Sequence, residues 1–170
     1  ALVREACARA LEWSIASLDG VYAEGDPAPS GLAAKVNRYL SPQHRDHPGE
    51  GCAVAALAVD AARAGGGLSE VFTQGIEHNI ERFARLIEGR AQGTPRPESR
   101  TQAMHTLATM VGGLVLARAT VAANPALSDG TLAPLREHLP ALTEAPAPST
   151  RKGRSGVDTK RSFSAATGRT

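Results

Sequence analysis

Thr106 to Ala123, TLATMVGGLVLARATVAA, is a run of eighteen residues in which Arg118 is the only charge. Its length invites a membrane reading. His105 and Arg118, however, enclose only twelve residues, and Gly112-Gly113 interrupts them, whereas a bilayer needs roughly 20 apolar residues in a row. The stretch therefore reads as a buried helix of a soluble protein. On a helical wheel Leu107, Met110, Val111, Leu114 and Val121 share one side, while Thr109, Gly112, Gly113, Leu116 and Thr120 make a smoother opposite face. Two adjacent glycines cost an exposed helix about 1 kcal/mol each, so a face that keeps them is expected to admit a second backbone. The large face is expected to pack on its own chain and the smooth face on a second copy. The alternative is a central helix wholly enclosed by its own chain.

Outward from this helix the punctuation is clear. Upstream, Ser99 and Gln102 have capping-box spacing and are expected to launch it after a loop over Gly89 to Pro97. Downstream, Asn124-Pro125 ends it, and a short last helix follows with Ser128 as its expected cap, Leu127 and Leu132 as a hydrophobic staple, and a stripe of Leu132, Leu135, Leu139 and Leu142. Pro134 inside that stripe predicts an irregular turn. Before the loop, Ser69 is expected to cap a long amphipathic helix with Phe72, Ile76, Ile80, Phe83 and Ile87 inward and Glu81 placed four residues before Arg85. Gly65-Gly66-Gly67 breaks it from CAVAALAVDAARA, whose residues 52–59 lack any polar group but a thiol and are expected at the middle of the domain. Residues 43–51, QHRDHPGEG, read as a polar connection. Ser30 is expected to cap a helix striped with Leu32, Val36, Tyr39 and Leu40, after a loop from Gly20 to Pro29. The first helix, from Leu2 to Leu18, begins without an initiator methionine or a cap and reads as continuing from something upstream.

Composition fits this outline. Alanine is abundant, aromatics are 4% of the chain, and no β-branched alternation occurs, which predicts an all-α bundle of about six helices in residues 1–142. From residue 143 the sequence turns to APAPSTRKGRSG and is expected to be a disordered basic tail. Residues 141–170 hold six basic and two acidic side chains, so removing that surplus of four from the formal +2 leaves residues 1–140 near −2. Such a body has no evident footprint for a phosphate backbone. The two cysteines, Cys7 and Cys52, form no CxxC or disulfide pattern, so a reducing cytoplasm is the expected setting.

The candidate chemistry is sparse. His44, His47 and Cys52 could grip a metal in principle, but their spacing matches no established pattern; a surface loop beside a core thiol is the simpler reading, with no metal or cofactor expected. Neither GxSxG, HExxH nor a phosphate-binding glycine loop is present, so nothing argues for an enzyme. Trp13, Leu57, Phe72, Ile76, Phe83, Met104, Leu107 and Met110 are candidates to line a cavity for a small apolar or aromatic molecule, the alternative being an ordinary filled core.

Three segments together carry a resemblance: ALVREACARALEWS at residues 1–14, HRDHPGEGCAVAALAVDAAR at 44–63, and GGLVLARATVAANPALSDGTLAPLREHL at 112–139. In this order and spacing they resemble the C-terminal domain of TetR-type bacterial transcriptional regulators. The family's helix-turn-helix head is not among these residues, so DNA contact is carried onto none of them. What the resemblance implies is an effector-sensing body of a repressor, active as a homodimer through its last two helices. The expected contact residues are Thr109, Gly112, Gly113, Leu116, Thr120, Leu132, Leu135 and Leu139. The first helix would be the lever that moves two recognition helices set about 34 Å apart. A helical protein-interaction module without a pocket is the competing expectation.

Overall fold

A computed structural model of the chain describes residues 2–20 and 31–143, with side chains given for 2–13 and 31–141. Residues 21–29 of the predicted loop, the Ser30 cap, the Leu142 side chain of the last stripe and residues 144–170 of the predicted tail lie outside those descriptions. Among the described residues the chain is all-helical: α1 (Leu2–Gly20), α2 (Leu32–Tyr39), α3 (Pro42–Asp46), a 3-10 turn (Pro48–Glu50), α4 (Ala53–Ala64), α5 (Gly66–Ile87), α6 (Pro97–Thr120) and α7 (Pro125–Thr143). None of these helices is long and apolar enough to cross a membrane.

The order of packing follows from α6. It lies between α5 and α7, α1 covers the far side of α5, α4 bridges α1, α5 and α6, and α2 rests on α7. The large face of α6 is buried as its spacing predicts, with Met110 and Leu114 at 0% exposure and Leu107 close behind. Val36 and Tyr39 of α2, Leu40 just after it, Phe72 and Phe83 of α5, and Leu132 of α7 complete the core around it.

Several predicted helix starts are corrected. The helix α5 begins at Gly66 rather than Ser69, because Gly65 and Gly66 both take positive φ (61° and 53°) and turn the chain within a single residue after α4. The start of α6 is Pro97, with Arg96 as its extended flanking residue. Ser99 is 2% exposed and donates its hydroxyl to Glu88 at the end of α5 instead of capping α6. Glu88 also accepts the Arg96 backbone N–H at 2.7 Å. These donors, the Arg96 N–H foremost, hold the Glu88 carboxyl down at about 2. At α7 the cap is Asn124, whose side-chain oxygen takes the Leu127 N–H at 3.0 Å, with Pro125 opening the helix. Ser128 is therefore free for another role, and Leu127, 54% exposed, does not staple. The helix runs on through Pro134, where an irregular turn was predicted, and through Pro140.

The helix α4 is a further correction. Cys52, Ala53, Val54 and Ala61 are buried, but Ala56 faces solvent and Val59 is 61% exposed, so the helix flanks the core instead of filling its middle. An alanine-rich helix reads apolar all round while losing little by standing in water, which is why the residues alone overstate its burial.

Candidate functional site

The segment read as a polar connection is an ordered piece of structure. Ser41 ends α2 and caps α3 by accepting the His44 N–H at 3.1 Å, with Pro42 in the first helical position. The 9%-exposed Arg45 side chain reaches from α3 to α7, where one guanidinium nitrogen donates to Ser128 Oγ (2.9 Å) and Asp129 Oδ1 (2.6 Å); its remaining donors take both oxygens of Asp46 at 2.7 and 3.1 Å. Ser128 in turn donates to the Ala117 carbonyl of α6 at 2.8 Å. Arg118, the lone charge of the central stretch, donates to the carbonyls of His44 (2.7 Å) and Arg45 (3.1 Å). One polar latch thus joins α3, α6 and α7.

His44 is fixed in one tautomer by its partners. Its Nε2 accepts the Cys52 N–H at 3.1 Å and is unprotonated, so Nδ1 carries the proton and donates to the Tyr39 carbonyl at 2.7 Å. Burial foremost, then the cations Arg118 and Arg38, move its pKa below 6.5 against the opposing pull of the Tyr39 carbonyl. With both ring nitrogens engaged, His44 has no lone pair to offer a metal. Among the described residues no three His, Cys, Asp or Glu side chains are grouped to hold one.

The predicted cavity residues divide. Phe72, Phe83, Leu107 and Met110 meet in one buried cluster, with Leu57 and Ile76 packed against its edge. Trp13 and Met104 are 51% and 44% exposed, which takes them out of that group. Two concavities lie elsewhere. One of about 180 Å³ is lined by Arg38, Ser41, Gln43, His44, His47 and Glu50. The other, about 630 Å³, lies between α1 and α5 against Arg4, Glu5, Ala8, Val71 and Gln74.

The predicted contact residues divide too. Leu132 and Leu139 are 1% and 5% exposed within their own chain, and a Cβ on Gly113 would collide with Leu135 Cδ1, so these four serve the α6–α7 seam. Leu132, Leu139 and Gly113 are corrected from contact residues to core, since a second copy would find little of them to cover, while Leu135 is half-buried. Thr109, Gly112, Leu116 and Thr120 keep an outward position, Leu116 at 60% exposure, and a Cβ on Gly112 would meet nothing within 4 Å. Met104, Val115 and Leu127 are further exposed apolar side chains of α6 and α7. Thr101, Thr120 and Thr131 each donate their hydroxyl to the carbonyl four residues back, which satisfies it within the helix. Arg118 is turned inward to α3, so from residue 106 to residue 120 this strip carries no charge over about 22 Å of helix.

The latch was hidden in the sequence because Arg45, Arg118 and Asp129 lie far apart along it; the available signal was one arginine inside an otherwise uncharged helix. No family model and no curated protein matches the chain.

Proposed function

We propose that this chain is the effector-sensing and dimerising body of a TetR-type transcriptional regulator, acting on DNA only through a head outside these residues. The observation that carries the reading is the uncharged outer strip of α6, kept apolar while its single arginine is drawn away to α3. Exposed apolar patches of this kind mark association surfaces, and a second copy laid along α6 would form a four-helix contact with α7. The lever role of α1 draws support from its narrow seat on α5: of its described side chains only Cys7 and Leu11 are buried, and Leu11 lies over the bare backbone of Gly75. A ligand that favours one position of α1 on that track would bias the separation of two DNA-binding heads, and a coupling of about 1–3 kcal/mol is typical of such control.

Sedimentation equilibrium over a wide concentration range tests the reading. The chain is expected to dimerise, and Leu116→Glu to weaken the dimer by about 2 kcal/mol or more, as for an interface hot spot, or roughly thirtyfold in Kd, with its helical circular dichroism intact. A chain that stays monomeric throughout would refute the proposal. The burial of Phe72, Phe83, Leu107 and Met110 in one cluster favours a second reading, an interaction module without a ligand. Saturable binding of a small aromatic molecule, lost on Phe83→Trp, would decide for the sensor.

A further inference from the structure

We propose that a proton taken up by His44 frees residues 41–51 from the body of the bundle, so that this segment is a clasp that opens in mild acid. The closed geometry requires one protonation state. Nε2 of the ring accepts the Cys52 N–H at 3.1 Å while Nδ1–H donates to the Tyr39 carbonyl at 2.7 Å, and only a neutral imidazole has both an acceptor and a donor nitrogen. An imidazolium has two donors. Its Nε2–H would meet the Cys52 N–H head on, and the bond that ties α3 to the start of α4 would be lost.

The groups around the ring oppose a cation there. From α6, Arg118 Nη2 comes so near that it and His44 Nε2 both lie within 2.8 Å of the point a Cβ on Gly51 would occupy. From α2, Arg38 adds a second positive charge, and Tyr39 sets its neutral ring edge-on to the imidazole, centroids 4.7 Å apart. From the start of α4 comes Cys52, a buried free thiol. On the ring's own side, Asp46 is taken up by Arg45, as is Asp129 of α7, while Glu50 and His47 line the 180 Å³ concavity as exposed side chains. With the closed ring below 6.5, the open form binds the proton first. Opening is therefore rarest above pH 6.5, rises about tenfold per pH unit down to the lower folded value, and levels off beneath it. The release stays local, because residues 41–51 place no side chain in the apolar core and their other ties are the hydrogen bonds of Arg45 and Arg118. The proposal does not depend on whether the chain dimerises.

The test follows the Arg45 and Cys52 amides of the full chain by NMR hydrogen exchange from about pH 7.5 to about pH 5, with rates corrected for the pH dependence of chemical exchange. Their protection is expected to fall about tenfold per pH unit below 6.5 and then to level off, while α5 and α6 stay protected and the helical circular dichroism holds. In His44→Gln, whose side chain keeps a donor and an acceptor but takes no proton, protection of the Arg45 amide is expected to stay level over the same range. An equal fall in His44→Gln, no fall in the native chain, or loss of α5 and α6 at the same pH would overturn the proposal. Should His44→Gln fail to fold, the native chain decides alone: the fall must level off at the midpoint of the His44 ring, read from its own carbon-13 titration, and a fall that continues below that midpoint overturns it.

Discussion

The adjacent glycines of α6 should respond in opposite ways to the same substitution. Alanine in place of glycine in a helix is worth about 1 kcal/mol through backbone entropy alone. At position 112 nothing else changes, because the new Cβ meets no atom within 4 Å. Gly112→Ala is thus expected to stabilise the isolated chain by about 1 kcal/mol, a rise of about 2–4 °C in Tm for a chain of this size. At position 113 the new Cβ overlaps Leu135 Cδ1 and comes within 3.5 Å of Leu40 Cδ2. Overpacking of this kind costs about 1–3 kcal/mol, so the net effect of Gly113→Ala runs from neutral to about 2 kcal/mol destabilising once the helix gain is counted. Urea denaturation at low protein concentration measures both. Leu135→Ala should relieve the second change, giving a favourable coupling in a double-mutant cycle with Gly113→Ala. If Gly113→Ala is the more stable of the two, or the variants are equal, the close approach of α7 to α6 is wrong. The same Gly112→Ala chain carries a second readout, since a backbone laid against that strip by another copy would make it dimerise less well while its monomer is more stable.

Arg45→Met should destabilise the chain by about 1–3 kcal/mol, because it strips a buried hydrogen bond from Ser128; Asp129→Asn should cost less, as that carboxylate is 63% exposed. Chemical denaturation of both variants compares them. Glu88, held at about 2 when folded against 4.5 unfolded, binds fewer protons in the native chain across that interval. Its stabilising effect is complete above pH 4.5 and fades as pH falls toward 2, so acid titration of Glu88→Gln should show a shallower loss of stability there. His44 has a folded pKa below 6.5, so its contribution is present above pH 6.5 and is lost as pH falls through the lower value; NMR titration of its ring should show a depressed midpoint and a Cys52 amide shift in step.

Much of the fold could be read from the residues because helix periodicity and glycine breaks are local signals. The buried face of α6, the inward stripe of α5 at Phe72, Ile80 and Phe83, and the turn at Gly65 all follow from spacing. Cap positions were less legible, since Ser69, Ser99 and Ser128 each have the chemistry of a cap, and at α7 the Ser128 hydroxyl goes to the Ala117 carbonyl while Asn124 caps the helix. The smooth face was misjudged in part for the same reason: a glycine shows that something comes close, but not whether it is Leu135 of the same chain. The roles of Arg45 and Arg118 were not legible, because Ser128 and Asp129 lie more than eighty residues from Arg45, and the carbonyls that Arg118 holds lie more than seventy residues from it.

The latch also divides the molecule by the kind of force that holds each part. Residues 41–51 supply no side chain to the apolar core, and α3 is fastened to α6 and α7 by hydrogen bonds for which water competes. Their amide protons should therefore exchange through a small local opening whose rate barely changes with urea, since little apolar surface is uncovered. The amides of α5, α6 and α7 should exchange only when the whole domain unfolds, which makes residues 41–51 the part of the chain that can be remodelled without dismantling the rest.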